Sequence, residues 1–391
     1  MVNLLQEITR PDLHRGLEEV VVDESGISHI DGSVGRLVYR GYAIEDLASE
    51  ATFEETLYLL WHGDLPDRDE LDDFAATLAD ERAVPAGVAE AAGELAAVDE
   101  EPMAALRTLV SMLSAYEHER DADPEDTDAT LRMGRRVTAK LPTALAAFDR
   151  ARRGEDPVAP REDLGHAANF LYMLTGEEPD ETAVETFDTA LTLHADHGLN
   201  ASTFTTLVIA STYADVYNAV TGGIAALSGP WHGGANQDVM RTLMELDESG
   251  RDPVEWVTEA LDEGRRIPGW GHRVYDVTDP RATILEARSE ALAESTGERK
   301  WYEYTTAIER YLTEELALPE QDIAPNVDFY SGSVYYQLGI PIDLYTPIFA
   351  MSRVGGWLAH VLEYVADNRL IRPRARYTGP ESQEWTPVDE R

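Results

Sequence analysis

The chain has 391 residues, with 74 acidic and 32 basic side chains and a formal net charge of −42 at pH 7. A charge of that size and sign repels nucleic acid and anionic membrane surfaces. The absence of cysteine excludes disulfides, thiolate catalysis and cysteine-ligated metal sites.

Acid-rich composition can signal disorder. Here the acids are spread along segments of helical apolar spacing, and 43% apolar residues can build a sizeable core. At ~100–200 residues per domain, the length allows more than one. Lys140 and Lys300 are the only lysines, so arginine supplies nearly all the positive charge. Compact carboxylates with few long ammonium stems suit a surface adapted to molar salt, where a Debye length of ~3 Å screens self-repulsion. The composition predicts a halophile's cytoplasmic protein.

Residues 1–12 show no basic region followed by an uninterrupted apolar stretch, so no secretory signal is expected. Residues 19–22, 26–30 and 37–39 are short β-like pieces separated by turn signals at 23–26 and 31–32, which predicts a small N-terminal β-hairpin region. Beyond them, apolar spacing predicts helices over 53–62, 71–78, 103–116, 129–141, 164–174, 184–194 and 201–218. Further helices are expected over 253–262, 282–296, 301–316 and 351–368. Gly63 and Gly176 follow helical patterns as C-terminal caps, and Pro66, Pro142, Pro179 and Pro253 mark starts or turns. The weakly charged stretch 199–231 carries Asn200, Asp215, Asn218, Gly222 and Gly223, too polar a set for a membrane span. No strand–helix alternation supports a Rossmann or barrel fold. The fold class is therefore mainly α. Turn-rich segments at 247–253 and 264–271 flank a piece able to move as a unit, and active sites often lie in such interdomain clefts.

Candidate chemistry gathers at a few places. His194 and His197 lie three apart around Asp196, a spacing that can bring two imidazoles together; a zinc site is conceivable, but no partnering ligand cluster is evident and packing is the plainer role. His232 stands between Gly229-Pro230 and Gly233-Gly234, where small neighbours allow close approach. His272 follows Pro268-Gly269-Trp270-Gly271. This is no dinucleotide fingerprint, because Val274 stands where the third glycine belongs and no strand precedes it. The same loop, beside Arg265 and Arg266, can instead cradle an anion through backbone N–H groups. Arg281 follows nine positions after His272 at the opening of a helix. Asp328, in a turn headed by Pro325 and beside Phe329 and Tyr330, is a partly desolvated carboxylate suited to base chemistry; an Asx turn or helix cap is the plain alternative. Arg353 lies inside an apolar helix and needs an anionic partner. Arg372 sits in a basic C-terminal segment. His14, His29, His62, His118, His166 and His360 stand alone, and surface or core roles fit each. Gly-x-Ser-x-Gly, Walker and His-Glu-x-x-His motifs are absent.

The order and spacing of residues 39–42, 53–66, 194–203, 229–237, 268–281, 325–331, 352–355 and 368–377 together resemble the citrate synthase family over nearly the whole chain. The resemblance implies a two-domain helical homodimer. Its large domain would comprise residues 1–229 and 335–391, and its inserted mobile small domain residues 230–334. It implies condensation of acetyl-CoA with oxaloacetate, with no resident cofactor or metal, since acetyl-CoA is a substrate. Asp328 would take the methyl proton, His232 would stabilise the enol, and His272 would polarise the oxaloacetate carbonyl. His197, Arg281 and Arg353 would hold carboxylates, and Arg372 would reach the partner's site. Arg266, Ile267, Gly269, Gly271 and Arg273 would meet CoA. The compact chain favours the simple dimeric form over the larger NADH-regulated one. A 2-methylcitrate synthase using propionyl-CoA would employ the same machinery, the difference being worth only ~1–3 kcal/mol of pocket fit.

Overall fold

The computed structural model describes residues 13–17 and 20–391. Of the strand expected at 19–22, residue 19 lies outside the described residues and 20–22 are irregular. The hairpin is instead a three-stranded antiparallel sheet of β1 (Ser28–Asp31), β2 (Arg36–Tyr39) and β3 (Tyr42–Ala43), in the order β1-β2-β3. Ser28 pairs with Tyr39 and Asp31 with Arg36. Gly41, with φ +92°, makes the tight β2–β3 turn that supplies the third strand.

Sixteen α-helices follow among the described residues. They are α1 (Ile44–Glu50), α2 (Phe53–His62), α3 (Arg68–Asp80), α4 (Ala86–Ala97), α5 (Pro102–Leu113), α6 (Thr127–Arg152), α7 (His166–Thr175) and α8 (Glu181–His194). Then come α9 (Ala201–Ala210), α10 (Val216–Leu227), α11 (Ala235–Ser249), α12 (Pro253–Asp262), α13 (Pro280–Thr296), α14 (Lys300–Arg310), α15 (Val327–Gln337) and α16 (Tyr345–Ala366). Their starts are written in the sequence. Asp67 and Glu70 form a capping box on α3, and Thr52, Asp126, Asp180, Asn200 and Asp279 cap α2, α6, α8, α9 and α13, each filling N–H groups the helix leaves unpaired.

Two expectations fail for identifiable reasons. Pro142 starts nothing. It lies inside α6, where residues 141–149 are all buried, so packing of this long helix outweighs the N–H that proline removes. The helix expected over 201–218 is two helices, broken at residues 211–215, where Tyr213 takes φ +61° and Asp215 caps α10.

Helix α16 is the organising element. It is buried along nearly its whole length and packs on α2, α6, α8, α9 and α10. A helix apolar on every side needs such a surround. Helix α15 packs against α11, α13 and α14, and α12 packs on α14. One apolar core runs through both groups. No described helix is long and apolar enough to cross a membrane.

Candidate active site

The site lies where the α8–α9 loop, the loop before α11, residues 268–279, the start of α15 and the middle of α16 meet. His197, His232, His272 and Asp328 are each partly buried there, in front of a fully buried layer that includes Asp196, Asp279, Arg281, Arg353 and Ser202.

Backbone hydrogen bonds join the His272 loop to the start of α15. Gly271 N–H donates to Ala324 O at 2.8 Å, Asn326 N–H to Gly269 O at 2.9 Å, and Asp279 N–H to Pro325 O at 3.1 Å. The Asn326 amide donates to Gly271 O at 2.8 Å, and its Oδ1 caps α15 by accepting from Asp328 N–H at 3.0 Å. Asp328 therefore sits in the first turn of a helix, not in a free turn. A side chain at Gly269 would lie 2.7 Å from Phe329 Cα, so the two segments close only with glycine there.

Two of the imidazoles are held in defined tautomers. His272 Nδ1 accepts from Val274 N–H at 3.0 Å and Tyr275 N–H at 3.2 Å, which leaves its proton on Nε2. His232 Nε2 accepts from Ser202 N–H at 3.0 Å and lies 2.9 Å from Ser202 Oγ, which leaves its proton on Nδ1. Trp357 of α16 donates to Ser202 Oγ at 3.2 Å, tying this histidine to the central helix. Gly233 serves packing here: a Cβ would lie 2.4 Å from Leu227 O and 2.8 Å from Thr346 Cγ2. His197 Nε2 meets the Tyr275 hydroxyl at 3.2 Å, and its ring lies 5.4 Å from that of His272.

Burial keeps these rings neutral. It takes His232 and His272 down to about 4, helped by the charge of Arg353 on the first and of Arg281 on the second. His197 is held well below the ordinary range by burial and by both arginines. Burial acts oppositely on Asp328, pushing its carboxyl up to about 6 against the pull of Arg281 and Arg353, with Asp279 adding to the rise.

The two arginines differ. Arg281 is paired with Asp279 through Nε at 2.9 Å and Nη2 at 2.7 Å. Arg353 was expected to need an anionic partner inside its helix, yet no carboxylate pairs with it among the described residues. Its Nε donates to His194 O at 2.7 Å and its guanidinium lies 4.6 Å from the Phe349 ring centre. Burial lowers it to about 10, opposed first by the charge of Asp196. A buried guanidinium without an ion pair is a ready carboxylate receptor.

Other expected residues fall elsewhere. His194 is buried, donates from Nδ1 to Ala190 O at 2.7 Å, and packs on Phe349, so it does not converge with His197 on a metal. Arg265 is occupied by Glu245 at 2.8 Å and lies over Trp256, leaving Arg266 and Arg273 exposed. Gly269 and Gly271 have φ of +79° and +84°. Ile267 is buried, so only its backbone remains for a ligand. Arg372 is exposed beyond α16 and does not join the site of its own chain. Glu117, His118 and Glu119 come close enough for a metal, but Arg132 and Arg136 already occupy both carboxylates.

Of the layer behind the site, sequence reasoning named Arg281 and Arg353 but gave Asp196 no role. Asp196 accepts from His360 Nε2 at 3.2 Å, from Gly198 N–H at 3.0 Å and from the Ser28 hydroxyl. It fixes the turn that carries His197. Its place between two histidines was the only available signal, because Ser28 and His360 are more than 160 positions away in the chain.

Partly buried imidazoles, a carboxyl raised to about 6 and a buried guanidinium with no carboxylate partner among the described residues form the kind of set that acid–base enzymes acting on small anions use. The family model described as "Citrate synthase, C-terminal domain" matches residues 16–374. The chain is 61% identical to a citrate synthase of Haloferax volcanii, with 97% of this chain and 99% of that one covered. A 2-methylcitrate synthase of Corynebacterium glutamicum is 39% identical over 97% of the chain. Among solved structures, the citrate synthase of Pyrobaculum aerophilum has a TM-score of 0.89 at 41% identity, covering 96% of this chain and 94% of that one. That of Thermoplasma acidophilum, a ternary complex with carboxymethyl coenzyme A and oxaloacetate, has a TM-score of 0.88 at 34% identity, covering 97% and 100%. This chain belongs to the citrate synthase family, and it is an enzyme.

Proposed function

We propose that the chain condenses acetyl-CoA with oxaloacetate and hydrolyses the resulting citryl-CoA to citrate and CoA. The observation that carries this reading is that Asp328 is fixed at the start of α15 against the His272 loop, with partly buried imidazoles and Arg353, which has no ion pair among the described residues; burial raises its carboxyl to about 6. The methyl group beside a thioester is a very weak acid, so its base needs simultaneous stabilisation of the enol oxygen. Asp328 takes the methyl proton while His232 donates from Nδ1 to the thioester oxygen. The enol carbon then attacks the oxaloacetate carbonyl, whose oxygen receives the Nε2 proton of His272. Water finally cleaves the thioester C–S bond and releases the CoA thiol.

His197, Arg281 and Arg353 hold the oxaloacetate carboxylates, reversing locally the potential of a protein of net charge −42. The loop 266–273 receives CoA. Arg266 and Arg273 face phosphates, and Ile267, Gly269 and Gly271 offer backbone. The working form is a homodimer in which Arg372 completes the site of the second copy; its exposure beyond α16 supports that role. Residues 230–334 act as a small domain that closes on residues 1–229 and 335–391 and excludes water until citryl-CoA has formed. The packing of α11, α13 and α14 on α15, with α12 on α14, supports this division. The reaction calls on no resident cofactor or metal, and the protein is cytoplasmic.

The test is kcat/KM for acetyl-CoA and for propionyl-CoA with oxaloacetate, followed by thiol release in high salt. The proposal predicts preference for acetyl-CoA. Preference for propionyl-CoA would instead make the chain a 2-methylcitrate synthase, and no thiol release with either would refute both readings.

A further inference from the structure

The geometry points to Tyr275 as a positioning residue that sets both oxaloacetate-side imidazoles, His272 through its backbone N–H and His197 through its hydroxyl. The inference rests on the oxaloacetate site proposed above. Tyr275 is 1% exposed. Its N–H reaches His272 Nδ1 at 3.2 Å and its hydroxyl reaches His197 Nε2 at 3.2 Å. Its ring lies 4.9 Å from that of His272 and 5.6 Å from that of His197, and the Arg281 guanidinium stands 6.0 Å from its centre. One side chain thus borders three groups assigned to the same substrate.

A neutral imidazole has one donor and one acceptor, and the bond made by one nitrogen decides what the other offers. Without the Tyr275 hydroxyl, the partly exposed His197 ring could rotate or change tautomer, whereas His272 keeps its bonds from the backbone N–H groups of residues 274 and 275. The loop that carries Tyr275 is itself fixed. Asp276 N–H donates to Gly32 O at 3.1 Å, and Gly32 lies so close that a Cβ there would be 1.7 Å from Val274 O. Burial raises the Tyr275 phenol further above its ordinary value, so the hydroxyl stays protonated throughout the working range.

Tyr275→Phe tests the inference, since it keeps the ring and the backbone N–H and removes only the hydroxyl. KM for oxaloacetate should rise about tenfold, the factor expected for one lost hydrogen bond. KM for acetyl-CoA and the melting temperature in high salt should stay unchanged. In protein labelled with ¹⁵N-histidine, the His197 imidazole shifts should move and those of His272 should not. An unchanged KM for oxaloacetate, or unmoved His197 shifts, would overturn the inference. So would a parallel loss of affinity for both substrates with a lowered melting temperature. Wild-type protein without citrate-forming activity would instead remove the underlying reading.

Discussion

At the scale of the residue, burial does opposite work on acids and on imidazoles, and that divergence gives the site its chemistry. Asp328 at about 6 and the imidazoles of His232 and His272 at about 4 mean that only the carboxylate changes charge just below neutrality. The acid limb of kcat/KM should therefore fall near pH 6, with the base lost as the pH drops through that value. A pH–rate profile checks this, and a limb confined to pH 4 would assign it to the imidazoles. The same rise, from 3.8 to about 6, opposes folding by roughly 3 kcal/mol at neutral pH. The sign follows from proton uptake. Between those values the folded state binds the proton more readily, so the group favours folding at low pH and disfavours it as the pH climbs through 6. The catalytic candidates were legible in the sequence because glycine, proline and aromatic neighbours marked their loops. Tyr275, Asp196 and His360 were not, since their partners converge only in three dimensions.

At the scale of the element, the small sheet acts as a saddle for the loop 272–278. The β1–β2 turn presses Gly32 against Val274 O and Gly35 against Thr278 O, the latter 2.9 Å from where a Cβ would stand. Gly32→Ala should push residues 272–278 away from α15. An overpacking penalty of ~1–3 kcal/mol should appear as a lower kcat/KM for oxaloacetate or a lower melting temperature; wild-type kinetics and stability together would show that the turn yields freely. Helices with a clear apolar stripe, such as α2 and α12, were read from the sequence with their bounds intact. Helix α15 was not, because its residues 329–335 are buried throughout and leave no stripe. Helix α4 is built largely of alanine and glycine and shows a weak stripe for a different reason. Helix α11 was hidden behind Gly234, whose φ of +96° looks like loop chemistry.

At the scale of the whole molecule, the charge of −42 makes folding depend on screening. The Debye length falls from about 10 Å at 0.1 M to about 3 Å at 1 M, which removes repulsion among surface carboxylates while short ion pairs such as Arg136–Glu117 at 2.7 Å are screened less. The melting temperature should rise by about 10 °C between 0.1 M and 2 M KCl, which corresponds to roughly 8 kcal/mol for a chain of this length. A melting temperature independent of salt would show that the acidic surface is neutral in its effect.

The most direct test of the account is Asp328→Asn, assayed for citrate formation beside its melting curve. Removing a general base should lower kcat by about 10²–10⁴-fold, while a neutral amide in place of a disfavoured buried carboxylate should leave the melting temperature unchanged or higher. Turnover close to that of the wild type in a folded Asp328→Asn protein would contradict the central claim.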